Sequence, residues 1–223
     1  MHTAKRKGGK MSRRKTLVVV ASIAILAAAV AFALAQEEDK FAWVPAGGCT
    51  LTLEVVKNCT NCDDIVTIVT SQKTRDEWKA YFEGKETSKK NESEDQKGIG
   101  ALQGLTEQKI NTLLDYLTLN MPVVKDQLPA DPAKIDCTVL PMDGKQELLQ
   151  FCLSCHPISV PAYEDRDLEG WLALLEDRTH ITALDANKVT EKQRQELAHY
   201  LTYNMPIPED QIPQEFRGRP PGY

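Results

Sequence analysis

The pentapeptide Cys152-Leu153-Ser154-Cys155-His156 places two thiols three residues apart and an imidazole directly after the second. This is the Cys-x-x-Cys-His spacing of c-type haem attachment. Sulfurs on neighbouring turns of one helix can each form a thioether with a haem vinyl group. The adjacent histidine then reaches the iron from the proximal side. Because the spacing is a geometric requirement, the pattern is far more specific than a bare Cys-x-x-Cys, whose ordinary reading is a disulfide or redox pair. The sequence predicts one haem c per chain, held covalently by Cys152 and Cys155 and ligated by His156.

An internal repeat carries an altered second version of this motif. Residues 116–129 (YLTLNMPVVKDQLP) and 200–213 (YLTYNMPIPEDQIP) agree at nine of 14 positions. Upstream, the pair Cys59 and Cys62 corresponds to Cys152 and Cys155, and Trp78 and Trp171 each lie 16 residues after the second cysteine. Cys49-Thr50 and Cys137-Thr138 open the two halves. The first copy has nine extra residues between its tryptophan and its Thr-Glu helix start. They are expected in the polar stretch 84–98, as a solvated loop. Two homologous domains follow, 46–130 and 134–216, with a short linker at 130–133. In the first copy Asp63 stands where His156 stands in the second. A carboxylate is a poor iron ligand beside imidazole, so this copy is expected to be haem-free. Its cysteines then need another role. Cys59–Cys62 with Cys49–Cys137 is one of three connectivities open to four cysteines, and the sequence does not choose among them. A zinc site from Cys49, Cys59 and Cys62 lacks a clear fourth ligand.

The elements that must position these residues read as helices. The motif is expected to sit on a first helix at 146–156. Trp171, Leu172, Leu174 and Leu175 give a second helix one apolar face. A third, at 191–203, carries Leu197, Tyr200 and Leu201 at helical spacing. Thr190 with Gln193 forms its capping box and Pro206 stops it. The first copy repeats the pattern with Ile110, Leu113, Leu114 and Leu117, opened by Thr106. No alternating strand pattern occurs. Trp78, Tyr81, Phe82, Tyr116, Trp171 and Tyr200 read as core. A haem would supply apolar core that a domain of roughly 80 residues otherwise lacks.

Residues 1–35 have the composition of a targeting segment. Lys5, Arg6, Lys7, Lys10, Arg13, Arg14 and Lys15 precede an apolar run at 17–35, which ends in Ala33-Leu34-Ala35, a cleavage pattern. Cleavage as a signal peptide is favoured. At 19 residues the run is also long enough for an uncleaved anchor. Either way the bulk of the chain is expected to be exported, to the periplasm or an equivalent compartment. The chain has 27 Lys+Arg and 32 Asp+Glu. Residues 1–35 hold seven of the basic and none of the acidic residues, leaving 20 against 32, a net of −12. Such a surface disfavours nucleic acid and anionic lipid. It suits a partner with a basic face, or simple solubility.

The order Cys-x-x-Cys-His, Trp-led helix, Thr-Glu, then a helix ending in Tyr-Leu resembles the small monohaem class I cytochromes c. The closest resemblance is to the haem subunits that accompany periplasmic molybdenum oxidoreductases such as sulfite dehydrogenases. Cys152, Cys155, His156, Trp171, Thr190, Glu191, Tyr200 and Leu201 carry it, and the first domain shares it only as a degenerate copy. The resemblance implies an all-α chain of two tandem cytochrome c-like helical domains.

The sixth iron ligand has two candidates. Met205 lies in Asn204-Met205-Pro206, and a thioether would raise the reduction potential. His180 lies 24 residues after His156. In the resembling family the distal methionine lies near the end of the Trp-led helix, close to that position. Copy one keeps Asn120-Met121-Pro122 without a haem histidine, so the tripeptide reads as a packing and helix-stop element. Copy one has no His or Met near the His180 equivalent. His180 is therefore favoured, as a lower-potential bis-histidine site, with Met205 the alternative and an open iron position the third case. His199, aligned with Asp115, reads as a solvated helix residue.

The leading expectation is an exported single-electron carrier that serves a larger redox complex and is not itself an enzyme. The alternative is an assembly subunit of such a complex, docking through its haem-free domain. An enzyme or gas sensor with open iron is a weaker third. No Ser-His-Asp, paired-carboxylate or phosphate-loop arrangement points elsewhere.

Overall fold

A computed structural model of the chain describes residues 40–59, 62–85 and 101–217. The expected signal or anchor segment 1–35, and 86–98 of the expected loop, lie outside the described residues. Among the described residues there is helix and no strand, and no helix is long and apolar enough to cross a membrane.

Most of the helices start where a short polar side chain accepts the first free backbone N–H groups. In the first copy, α1 is Gly48–Asn58, α2 Ile65–Val69, α3 Arg75–Phe82 and α4 Glu107–Asn120. Asp64, Thr74 and Thr106 cap the last three. In the second copy, α5 is Gly144–Phe151, α6 Ser159–Tyr163, α7 Leu168–Leu175, α8 Arg178–Ala186 and α9 Glu191–Asn204. The Thr190–Gln193 capping box forms as expected at the start of α9. The expected single helix at 146–156 does not: α5 ends at Phe151 and the cysteine pair lies in a 3₁₀ turn, Cys152–Ser154. Two local features account for this. The Ser154 hydroxyl donates to the Phe151 carbonyl at 2.6 Å, competing with the helix ladder. Pro157 disfavours helical geometry at His156.

The described residues of the two copies fold alike and interlock within one compact unit that begins at Val44. The long helices α4 and α9 pack on each other. Helices α1 and α3 pack on α4, as α5 and α7 pack on α9. Both first helices approach through glycine: a Cβ at Gly48 would lie 2.1 Å from the Tyr116 Cβ, and one at Gly144 2.2 Å from the Tyr200 Cβ. Each tyrosine then reaches into the other copy. Tyr116 donates to the Pro141 carbonyl at 2.9 Å and Tyr200 to the Pro45 carbonyl at 2.7 Å. The asparagines of the repeated Asn-Met-Pro tripeptide cross likewise. Asn204 donates to Thr112 Oγ1 at 2.9 Å and Asn120 donates to Glu196.

This symmetry corrects two expectations. Cys49 and Cys137 are not equivalent positions; Gly48 and Gly144 are. Helix α1 has 11 residues against eight in α5, so matching the Cys-Thr dipeptides misplaces the start of each copy. Nor is His199 simply solvated. Its Nδ1 lies 2.6 Å from Asp115 Oδ2 in the other copy. Asp115 also accepts from Arg75 Nε at 2.6 Å. Desolvation raises the buried Asp115 carboxyl, and these partners outweigh it and hold the carboxylate below its usual range.

Candidate haem site

Of the described cysteines, four are paired and two are not. Cys49 bonds Cys137 and Cys59 bonds Cys62, whereas Cys152 and Cys155 are free thiols. The sulfurs required by a zinc site at Cys49, Cys59 and Cys62 are thus consumed in disulfides. Among the described residues no cluster of three or more such ligands is poised for a metal ion. The motif thiols lie on the turn that ends α5, Cys155 exposed and Cys152 half-buried. Desolvation raises the Cys152 thiol to about 12, with the nearby Cys155 and Glu147 adding to the shift. His156 N–H closes the turn on the Cys152 carbonyl at 3.3 Å. The imidazole is half-buried and its Nδ1 is buried without a hydrogen-bond partner.

The first copy shows how the same place looks when protein fills it. Asp63, the His156 equivalent, is clamped by Tyr81: the Asp63 N–H donates to the phenol oxygen at 2.7 Å and the phenol donates to Asp63 Oδ2 at 3.2 Å. Tyr81 is buried in an aromatic cluster, 6.1 Å from Trp78 and 5.0 Å from Phe82 between ring centroids. The matching α7 positions in the second copy hold Leu174 and Leu175. Leu174 is only half-buried and has no phenol with which to reach the histidine. The second copy therefore combines free thiols, a histidine with an unpartnered buried nitrogen, and a smaller side chain where the first copy has Tyr81. These residues fit a covalently attached haem c.

The two sixth-ligand candidates sit in different surroundings. His180 is on the first turn of α8, half-exposed. Asp177 caps that helix through the Thr179 and His180 N–H groups, and its Oδ2 lies 2.8 Å from His180 Nδ1. These bonds, with the backbone bond to His180 as the largest influence, hold Asp177 below its usual range. A carboxylate on Nδ1 leaves Nε2 free, the arrangement by which proteins orient metal-bound imidazoles. Met205 ends α9 and is buried, 5% exposed; Met121 ends α4 in the same way, 6% exposed. The next residues repeat too: Val123 N–H donates to the Val69 carbonyl and Ile207 N–H to the Ala162 carbonyl. A methionine packed identically in a copy without the haem histidine behaves as core.

Sequence reasoning missed three buried carboxyls beside this motif: Asp143, Glu147 and Glu196, 2%, 0% and 4% exposed. The available signal was an acid inside each apolar helical stretch, Glu147 before Leu148 and Glu196 before Leu197. No protein-family model matches the chain, and no curated protein or solved structure matches it either.

Proposed function

We propose that this chain is an exported monohaem c-type cytochrome that passes single electrons to or from a larger redox partner. The observation that carries the reading is the free Cys152 and Cys155 pair with His156, in a fold whose first copy has the equivalent place closed by the Cys59–Cys62 disulfide and by Tyr81. Haem c supplies a one-electron iron couple when bound. Cys152 and Cys155 would anchor it and His156 would ligate its iron, with His180, its imidazole held by Asp177, as the favoured second ligand. The desolvated Cys152 thiol is a poorer nucleophile in the folded chain than a free thiol. The acidic surface steers a partner with a basic face.

The test is haem content and electron paramagnetic resonance of the exported protein. One covalent low-spin haem per chain is expected, lost from the Cys152→Ala/Cys155→Ala variant. Full covalent haem in that variant would sink the reading. Two haems per chain would overturn the haem-free assignment of the first copy.

A further inference from the structure

The Glu147 carboxyl stands out among the described residues. It is 0% exposed and neither oxygen has a close hydrogen-bond partner; the Gln193 side chain acts on it but only partly offsets the burial. Glu196 on α9, which packs on α5, is its neighbour. One Glu196 oxygen accepts from Asn120 and the other has no close partner; the Gly144 backbone N–H also acts on this carboxyl, and burial still outweighs both. An ionised carboxylate buried without partners costs several kcal/mol, so such a group holds a proton instead. Asp143 is different. It takes N–H groups from both copies, Cys49 at 3.0 Å and Gln146 at 3.0 Å, so its two oxygens are satisfied. The charged and titratable groups around Glu147 are Glu196 and Lys192 from α9, Asp143 from the cap of α5, and the Cys152 thiol on the following turn. Burial and the neighbouring acids raise Glu147 to about 10 and Glu196 to about 8. Two such groups titrate as a pair.

Glu147 lies five residues before Cys152 on the helix that leads into the motif, about 7.5 Å along the helix axis. We infer that the Glu147–Glu196 pair is a proton-binding site whose occupancy follows the charge of the group held at Cys152, Cys155 and His156. The inference rests on the haem assignment. A haem held at the motif would supply a one-electron couple, the electron coming from the redox partner. One proton comes from solvent to the carboxyl pair, and no bond within the chain breaks. The proton gained by the pair would balance the electron gained by the group held at the motif.

The experiment is a redox titration of the intact holoprotein from pH 6 to 10, with reduced-minus-oxidised infrared spectra. Oxidised iron lowers the pair's proton affinity and reduced iron raises it. The potential should therefore fall as pH rises around and above pH 8, by at most tenfold per pH unit, about 59 mV for one electron. Glu147→Gln should flatten this slope and remove a carboxylic-acid C=O band from the infrared difference. A flat potential in the wild type, or an unchanged slope and band in Glu147→Gln, overturns the inference while leaving the haem assignment intact. Absence of haem overturns both. Should Glu147→Gln fail to fold, the wild-type infrared difference decides: a redox-linked carboxylic-acid band supports the site and its absence overturns it.

Discussion

Asp63 and His156 occupy one place in two copies of the same frame, and the side chain opposite each makes the difference. Tyr81 reaches Asp63 with its phenol, while the matching Leu174 cannot reach His156. The same comparison bears on the distal ligand. Met121 and Met205 are buried to the same extent, whereas His180 has a carboxylate on one ring nitrogen. Replacing Met205 with leucine conserves volume and should cost below about 1.5 kcal/mol. It should leave a bis-histidine resonance spectrum unchanged. His180→Ala should convert low-spin iron to high-spin or shift its g-values. Loss of the low-spin signal in Met205→Leu, with retention in His180→Ala, would reverse the assignment.

At the scale of elements, glycine contacts and one shared cap join the helices. Because a Cβ at Gly144 would meet the Tyr200 Cβ at 2.2 Å, Gly144→Ala forces α5 off α9. Overpacking of this kind costs about 1–3 kcal/mol. The midpoint of urea unfolding should drop accordingly, and an unchanged midpoint would show that the helices slide apart freely. The disulfide between Cys49 and Cys137 spans 88 residues. Changing both to serine should lower stability by about 2–5 kcal/mol in the same assay. Much of each helix was legible because its signals are local: Thr190 and Gln193 form a capping box three residues apart, and Leu197, Tyr200 and Leu201 mark one face. The interlocking of the copies was not. His199 meets Asp115, 84 residues away, and nothing in the 3.6-residue period says which helix faces which. The turn at Cys152 escaped for a different reason. Apolar spacing runs on through Phe151, and the break comes from a serine hydroxyl and a following proline. The Cys-x-x-Cys-His spacing itself was legible, since its residues are contiguous. The buried acids beside it were not, because their burial comes from α9 closing over α5.

Taken as a whole, the molecule folds around protons as well as apolar side chains, and its stability should show it. Unfolded, Glu147 and Glu196 ionise near the ordinary value of 4.5; folded, burial and mutual repulsion hold their protons to about 10 and about 8. Between pH 4.5 and 8 the folded chain therefore binds more protons than the unfolded one. Stability must fall as pH rises through that window, by up to about 1.4 kcal/mol per pH unit for each proton retained. Asp115 acts in the opposite sense. Its carboxylate is held low by His199 and Arg75, so its contribution is present above the unfolded value and lost in acid. It gives the acid limb of a stability profile whose alkaline side the two glutamates depress. Glu147→Gln removes one of those protons from the balance. This variant should be more stable than the wild type above pH 6 and should show a shallower decline towards pH 8, measured by urea unfolding at each pH. A wild-type stability that rises from pH 5 to pH 8, with Glu147→Gln following it in parallel, would mean that these carboxyls reach solvent and that the α5–α9 interface is not dry.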